Sequence, residues 1–199
     1  MDNLALQCRC GHIKGRAIKV YPSDGTRVVC YCRDCQAFAH ALNAADVVLD
    51  AQGGTDIYQL PPARLQIHQG HDQIRCLRLS EKGLYRWYAG CCNTPMANTL
   101  APRVPLVGLL HSFISDPDAE CKTGPVRARV NLGGATAEVP REQVRATPSR
   151  GYMRKILFKM LSWKLTGKSR PNPFFSGSTP VATPRIMKPG EQIAQSRNN

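Results

Sequence analysis

The chain has 199 residues, and its 27 lysines and arginines exceed its 14 aspartates and glutamates to give a formal net charge of +13. A hydrophobic content of 42% excludes a wholly disordered chain, and the length predicts one domain with an appendage. No apolar run approaches the roughly 20 residues that cross a bilayer, and the N-terminus lacks the pattern of a secretory signal. We therefore expect a cytoplasmic chain whose nine cysteines stay reduced.

The first 147 residues alternate short apolar or β-branched runs with turn residues, which predicts a mainly β domain over 1–147. The strands are predicted at 18–21, 27–31, 57–60, 65–68, 74–79, 85–88, 104–110 and 126–132. The alanine-rich stretch 35–42 predicts one or two helical turns.

Most of the net charge lies after this domain. Residues 1–149 hold 17 basic and 13 acidic side chains, whereas residues 150–199 hold 10 basic side chains and a single acid. The domain is therefore nearly balanced in charge, and nucleic acid is not favoured as its partner.

Apolar residues recur at helical spacing over 150–167, which predicts a basic amphipathic helix. Three roles stay open for it. It packs on the β domain through Ile156, Met160 and Trp163, it makes the protein peripheral to an anionic membrane, or it binds nucleic acid or another acidic partner. The proline- and serine-rich stretch 168–199 is predicted to be disordered.

Seven of the nine cysteines fall into three tight clusters, which favours metal binding over service as small buried hydrophobes. The clusters are Cys8 with Cys10, then Cys30, Cys32 and Cys35, and finally Cys91 with Cys92. Cys76 and Cys121 stand alone and are expected to be buried or incidental thiols.

Zinc prefers thiolates in a tetrahedron, with four protein ligands in structural sites and three plus an exchangeable position in catalytic ones. The first and last clusters together can supply four thiolates. The middle cluster supplies three, and no fourth cysteine follows it closely, which suits an open site. The spacing predicts one or two zinc ions per chain and leaves open whether the middle cluster is catalytic or structural.

Three strings of this chain resemble the glutathione-dependent formaldehyde-activating enzyme family, which also includes proteins similar to centromere protein V. They are Cys8-x-Cys10-Gly11-x-x-x-Gly15, Cys30-Tyr31-Cys32-Arg33-Asp34-Cys35-Gln36 and Cys92-Asn93-Thr94-Pro95-Met96, and the match covers roughly residues 5–115. The resemblance implies an Mss4-like, tent-shaped all-β fold with two zinc ions. It assigns Cys8, Cys10 and Cys92 to a structural zinc, and Cys30, Cys32 and Cys35 to a catalytic one.

The chain departs from the family pattern at the third string. Where the family has Cys-x-x-Cys-Gly, this chain has Ala89 at the first cysteine and Asn93 at the glycine. Cys91 can replace the missing ligand only if the backbone turns so that adjacent sulfurs face one metal. Otherwise the site recruits His12 or is lost. Asn93 is compatible with a positive φ.

The resemblance implies a carbon–sulfur lyase that acts on adducts of a thiol with an aldehyde, most simply glutathione with formaldehyde, like an S-hydroxymethylglutathione synthase. Arg33, and less directly Arg86, are candidates to bind a glutathione carboxylate, although both arginines are expected to carry ordinary surface charge. His40 is a candidate for proton transfer, although a packed or solvent-facing role is expected for it and for His68, His71 and His111. The competing hypothesis is a non-catalytic, zinc-stabilised binding module with a basic tail.

Overall fold

The computed structural model describes residues 2–23, 26–144 and 150–188, and it is mainly β. The strands are β1 (Asp2–Gln7), β2 (Lys14–Val20), β3 (Thr26–Cys30), β4 (Thr55–Leu60), β5 (Leu65–Gln69), β6 (Ile74–Arg78), β7 (Tyr85–Ala89), β8 (Pro95–Thr99), β9 (Val107–Leu110), β10 (Ala128–Val130), β11 (Phe175–Ser176), β12 (Thr179–Pro180) and β13 (Pro184–Ile186). The helices are α1 (Arg33–Ala41), α2 (Ala45–Val48), α3 (Ala119–Thr123), α4 (Arg141–Val144) and α5 (Arg150–Leu165).

Two sheets form the body. The small sheet has the order β1-β2-β5, and the large one has the order β10-β3-β4-β9-β8-β7-β6-β13. Strands inside the large sheet pair antiparallel, whereas β10 and β13 join its two ends in parallel. β11 and β12 form a third, two-stranded antiparallel sheet.

The main core is formed by apolar side chains of both sheets. Alternation along a strand sends every second side chain to one face, so Leu4 and Leu6 of β1 pack with Trp87 of β7 and Leu109 of β9 in one cluster. Trp87 is fully buried, and its indole N–H donates to Thr99 Oγ1 at 2.9 Å, which satisfies the polar atom of the ring.

A second cluster includes α1 and the large sheet. Phe38 and Ala39 of α1, and Leu42 just after it, share this cluster with Leu77 of β6 and Leu110 of β9. Since the two clusters use different residues of the large sheet, that sheet is apolar on both faces, and the continuous run Val107–Leu110 is buried at three of its four positions.

The predicted strands all have counterparts in the structure, and the helical turns predicted at 35–42 correspond to α1. Within the predicted β domain, two strands, β1 and β8, were not predicted. The segment Pro95–Thr99 lacks both alternation and β-branched residues at its start, yet all five of its positions are buried between β7 and β9. Tertiary pairing overrides weak local propensity there.

The structure differs from the predicted disorder over 168–188. Phe174 is fully buried and stacks on Trp87, with ring centroids 4.8 Å apart. β13 pairs with β6, and the Met187 N–H donates to the Arg78 carbonyl at 2.9 Å. The average composition of the tail is polar and proline-rich, and it conceals three core residues, which are Phe174, Phe175 and Met187. Because these residues are buried, the β body extends beyond residue 147. The remainder of the predicted tail, 189–199, lies outside the described residues.

The basic segment forms the helix α5. Trp163 is buried, while Ile156 and Met160 are half-buried. Across the described ranges, no helix combines the length and the apolar character that crossing a membrane requires.

Candidate metal centres

The first cluster brings together four cysteines from two loops. Cys8 and Cys10 follow β1, and Cys91 and Cys92 lie in the turn between β7 and β8. Their four Sγ atoms all lie within 4.8 Å of one another. The sulfur of Cys10 is 3.3 Å from that of Cys91, and the sulfur of Cys8 is 3.6 Å from that of Cys10 and 3.8 Å from that of Cys91.

The turn at residues 89–93 explains how adjacent cysteines reach one point. The Ala89 carbonyl accepts the N–H of Cys92 at 3.4 Å and that of Asn93 at 2.8 Å, which curls the backbone tightly. Asn93 closes the turn at φ 56°, in the left-handed region that asparagine tolerates best after glycine. Ala89 therefore leaves no gap in the group of four sulfurs, since Cys91 supplies the fourth.

His12 is not part of this group of ligands. Its imidazole Nε2 lies 3.8 Å from Asp72 Oδ1, and its side chain is half exposed. Of the three outcomes that the altered string left open, the structure shows the first, in which the adjacent cysteines both join the cluster.

Backbone and hydroxyl donors surround the sulfurs of this cluster. The Ile13 N–H donates to Cys8 Sγ at 3.2 Å, although burial still raises the pKa of Cys8. Burial also tends to raise the pKa of Cys92, but hydrogen bonds from the Thr94 hydroxyl and from the N–H groups of Cys10 and Thr94 outweigh it and lower that pKa to about 6. The cluster thus already stabilises a thiolate before any metal binds.

This cluster also ties the two sheets together, because β1 belongs to the small sheet and β7 and β8 belong to the large one. Next to the sulfurs, the Arg9 N–H donates to Thr94 Oγ1 at 3.0 Å, and the Arg9 guanidinium donates to the Cys92 carbonyl at 3.2 Å. A metal ion bound here would cross-link two loops more than 80 residues apart in sequence.

The second cluster lies where β3 passes into α1. Cys30 ends the strand, Cys32 is the N-cap of the helix, and Cys35 lies in its first turn. Their three Sγ atoms lie within 4.8 Å of one another, and the group has three members among the residues that the structure describes. Cys30 and Cys35 are buried, and the half-buried Cys32 connects the cluster to solvent.

Local hydrogen bonds fix the path of this turn. Cys32 Sγ accepts the Cys35 N–H at 3.4 Å, which caps the helix. The Gln36 side-chain amide donates to the carbonyls of Tyr31 and Gly134, at 3.1 and 2.8 Å. Gly134 is needed at this contact, because a Cβ there would lie 2.2 Å from the Tyr31 carbonyl oxygen.

Asn131 adds a direct contact to the second cluster. It sits in the left-handed region at φ 58°, just after β10, and its Nδ2 donates to Cys30 Sγ at 3.3 Å. The sequence placed Asn131 near the end of the predicted strand 126–132 and assigned it no role at a site. An asparagine followed closely by two glycines was the available signal that the chain turns sharply here, but nothing local indicated what it turns toward.

Arg86 is the residue that sequence reasoning placed wrongly. The expectation of ordinary surface charge fails, because Arg86 is only 1% exposed and points from β7 toward α1. Its Nη1 lies 3.9 Å from Cys35 Sγ, its Nη2 lies 3.5 Å from the Asp34 carboxylate, and its guanidinium lies 5.6 Å from the centre of the Phe38 ring. Within the described part of the chain, its Nε has no hydrogen-bond partner, and neither has the buried Oδ1 of Asn98, which is the cross-strand neighbour of Arg86. A buried cation is thus held against the sulfur cluster.

The three thiols of the second cluster share their protons unequally. Hydrogen bonds from the Cys32 and Cys35 thiols lower the pKa of Cys30, and the same hydrogen bonds raise the pKa of Cys32 and of Cys35. Without metal the cluster therefore favours a single thiolate on Cys30, which Asn131 also stabilises. A divalent ion would displace the two remaining protons.

Both clusters have the donor set and the spacing of a zinc site. With zinc–sulfur bonds of about 2.3 Å, the edge of a tetrahedron is about 3.8 Å, close to the sulfur separations of the first cluster. The first cluster can close such a tetrahedron, and the second supplies three of its corners. The cysteine clusters can hold metal, because none of the nine cysteines, all of which are among the described residues, forms a disulfide bond.

The other residues singled out from the sequence lie apart from these contacts. Arg33 is exposed, and His40 is half-buried in the last turn of α1. His111 makes contacts with backbone carbonyls, from Nδ1 to Asp56 at 3.3 Å and from Nε2 to Val47 at 3.1 Å. Cys76 is buried and Cys121 is exposed, and burial raises the pKa of Cys76 to about 12.

The fold and the two clusters together define a mainly β protein with two candidate thiolate metal centres. The chain belongs to a family of unknown function, DUF6151, whose model matches residues 1–185. That match includes all seven clustered cysteines and also β11, β12 and most of β13. Comparison with curated proteins finds no match.

Proposed function

We propose that the chain is a zinc protein with an Mss4-like fold, in which Cys8, Cys10, Cys91 and Cys92 hold a structural ion and Cys30, Cys32 and Cys35 hold a second, exchangeable one. The observation that carries the proposal is the second cluster. It offers three converging sulfurs, no fourth ligand among the described residues, and a buried cation beside it. Three ligands leave one position for a substrate.

We further propose carbon–sulfur lyase activity on thiol–aldehyde adducts, with glutathione and formaldehyde as the simplest pair and the cytoplasm as the compartment. Zinc bound at three thiolates would lower the pKa of an incoming thiol and hold it as a nucleophile. In the synthetic direction a carbon–sulfur bond forms between the thiol sulfur and the aldehyde carbon, and the thiol proton ends on the carbonyl oxygen. In the reverse direction that bond breaks and the free thiol and aldehyde return, with no change of oxidation state.

The chain's own residues have separate tasks in this proposal. Asn131 orients Cys30, and the N-terminus of α1 stabilises negative charge on Cys32 and Cys35. The positive charge of Arg86 offsets the negative charge of the sulfur cluster from the protein interior. Because Arg86 is buried, it does not contact the carboxylate of a substrate that enters from solvent. Arg33 is exposed next to Cys32, and it stays the candidate to bind such a carboxylate.

The test compares the zinc-loaded wild type with Cys35→Ser and with Cys121→Ser, a control at an exposed cysteine outside both clusters. Exchange between free and thiol-bound formaldehyde is followed by NMR in the presence of glutathione. We expect the wild type and Cys121→Ser to accelerate the exchange beyond the uncatalysed rate, and Cys35→Ser to lose the acceleration. Equal, uncatalysed rates for all three across a panel of thiols and aldehydes would refute the lyase proposal.

A second candidate is a non-catalytic, zinc-stabilised binding module. It is favoured by the position of the first cluster, which joins loops of both sheets as a structural cross-link would. Metal content separates the two candidates. Two zinc ions per chain, one of them removed readily by a chelator, support the open site, whereas one tightly held ion supports the module.

A further inference from the structure

The helix α5 is held to the body along one side. Trp163 is 4% exposed, Ile156 and Met160 are half-buried, and the Trp163 carbonyl accepts the Lys168 N–H at 2.8 Å just after the helix ends. The Lys168 carbonyl in turn accepts the Ala63 N–H at 3.2 Å. The side of α5 around Trp163 is therefore covered by other residues of the chain.

A different side of α5 exposes large apolar side chains to solvent. Met153, Leu157, Leu161 and Leu165 follow one another at four-residue spacing and so form one row along the helix, and Phe158 lies beside that row. Leu157 is 63% exposed, Phe158 is 72% exposed, and the other three are more than half exposed. We call these five residues the apolar row. Single exposed leucines need no explanation, but a continuous row on a helix whose core side is already packed marks a contact surface.

The charged residues of the segment that carries the apolar row are all basic. From Arg150 to Lys188 the sequence holds nine lysines and arginines and no aspartate or glutamate. At 100° per residue, Arg154 projects between Leu161 and Phe158, and Lys164 projects between Met153 and Leu157. Long basic side chains within an apolar row are the arrangement that lets charged groups reach lipid headgroups while the row enters the bilayer.

A basic cavity lies along the flank of the same helix. Its volume is about 780 Å³, and it separates α5 from the start of β3 and from Arg127. The side chains lining it are Ser23, Thr26, Arg127, Arg154, Lys155, Ile156, Phe158 and Lys159. Among the lining residues that the structure describes there are four cations, two hydroxyls and no acid, a set that suits a phosphate group. Phe158 belongs to both the cavity and the apolar row, so the two features adjoin.

We propose that α5 docks this protein on an anionic phospholipid bilayer, with the apolar row at the boundary of headgroups and acyl chains and the basic cavity around a lipid phosphate. Nucleic acid would match the charges but would leave the apolar row in water. A second copy would cover the row but, in a two-fold dimer, would bring Arg154 and Lys164 of both copies together with no acid in the segment to balance them. An anionic bilayer satisfies both the charge and the apolar area. This inference does not depend on the proposed zinc chemistry.

The test measures binding of the full chain to vesicles by co-sedimentation. A truncation after residue 149 is unsuitable, because it would remove Phe174, Met187 and β13 from the body. The apolar variant is Leu157→Ser with Leu161→Ser, and its matched control is Leu100→Ser with Val181→Ser, at positions 50% and 47% exposed. The charge variant is Arg154→Gln with Lys155→Gln, and its control is Lys82→Gln with Arg103→Gln at exposed positions.

We expect the wild type to bind vesicles with about 30% phosphatidylserine at least tenfold more tightly than vesicles of phosphatidylcholine alone. Each α5 variant should lose about tenfold or more in affinity, and each control should stay within about twofold of the wild type. Raising the salt from about 0.1 M to about 0.5 M should weaken binding, because surface charges are then screened. Thermal unfolding followed by circular dichroism checks that all four variants are folded.

Three results would overturn the proposal. The first is an apolar variant that binds anionic vesicles as tightly as the wild type. The second is tight binding to a DNA duplex that the charge variant loses and the apolar variant keeps, which would assign the surface to nucleic acid. The third is a wild-type dimer in sedimentation velocity that the apolar variant dissolves, which would assign the apolar row to a second copy.

Discussion

Replacing Arg86 by methionine removes a buried cation from beside the second sulfur cluster while keeping most of the side-chain volume. Three thiolates around a divalent ion carry a net charge of −1, and Arg86 Nη1 lies 3.9 Å from Cys35 Sγ. At an effective dielectric constant of about 20, a unit charge at that distance contributes about 4 kcal/mol. The Asp34 carboxylate, 3.5 Å from Nη2, offsets part of this attraction but is itself 64% exposed and well solvated. We expect a net loss of about 1.5–3 kcal/mol, which is roughly a 10- to 100-fold weaker metal affinity.

The assay is a competition titration of zinc against a chromophoric chelator, repeated with cobalt so that sulfur-to-metal absorption reports the ligands. Arg86→Lys keeps the charge and should stay within about fivefold of the wild type. Arg33→Met is the matched control, because Arg33 lies next to Cys32 in sequence but is exposed, and it should change the affinity by less than about twofold. The cluster at Cys8 serves as an internal reference, since its affinity should not change in any of these variants.

A zinc affinity of the second cluster that is unchanged in Arg86→Met would refute the electrostatic role of the buried arginine. So would a larger effect for Arg33→Met than for Arg86→Met, because burial is the reason for expecting Arg86 to dominate. If neither cluster bound zinc in the wild type, the failure would lie in the zinc proposal and not in this argument about Arg86.

Replacing Cys91 by serine should lower the zinc content by one ion per chain in elemental analysis, because it breaks the four-sulfur cluster. Cys121→Ser should leave the zinc content unchanged. Equal zinc content in the two variants would exclude Cys91 as a ligand. Phe174→Ala should lower the free energy of unfolding by about 3–5 kcal/mol in urea, because it leaves a cavity against Trp87, whereas Phe158→Ala at an exposed position should change it by less than about 0.5 kcal/mol. Asp116→Asn should destabilise the protein by about 1–3 kcal/mol near neutral pH, because Asp116 accepts from Lys122 Nζ at 2.8 Å and from the Ala5 N–H at 2.9 Å. Burial tends to raise the pKa of Asp116, but these hydrogen bonds outweigh it and lower that pKa below 3.8, so the carboxylate stabilises the fold above about pH 4 and ceases to do so as the pH falls through the folded-state pKa. The gap between wild type and Asp116→Asn should therefore narrow in acid, and a gap independent of pH would contradict the ionic role.

Much of the β body was predictable because its strands carry their own signals. Alternation or a continuous apolar run marks β3, β4 and β9, and turn residues separate them. β8 gave no such signal, because its burial comes from the strands on either side and not from its own composition. The C-terminal segment was wrongly predicted to be disordered, because the average composition of the segment outweighs its few buried residues. A few aromatic residues anchor it, and an average over many polar and proline positions conceals them.

The sulfur clusters were largely predictable because zinc-type ligands repeat at short spacing within each string. The pairing of Cys91 with Cys92 was not, since it depends on the backbone turn at Asn93, which spacing alone does not specify. Arg86 was not predictable at all. A single arginine in a strand is ordinary in sequence, and only the packing of α1 over β7 reveals that this one is enclosed with the thiols. Burial of a charge is a property of the fold and leaves no local pattern.

The parallel pairing of β13 with β6 has a consequence for the newly made chain. About 110 residues separate the end of β6 from the end of β13, which at about 5–20 residues per second corresponds to roughly 5–20 s of translation. During that interval the outer edge of β6 presents unpaired backbone groups, which is the feature that promotes pairing between neighbouring nascent chains. Arg75 and Arg78 place positive charge on this strand, and like charges on two such edges repel. The edge of β6 therefore carries arginines during the interval before β13 is made and pairs with it.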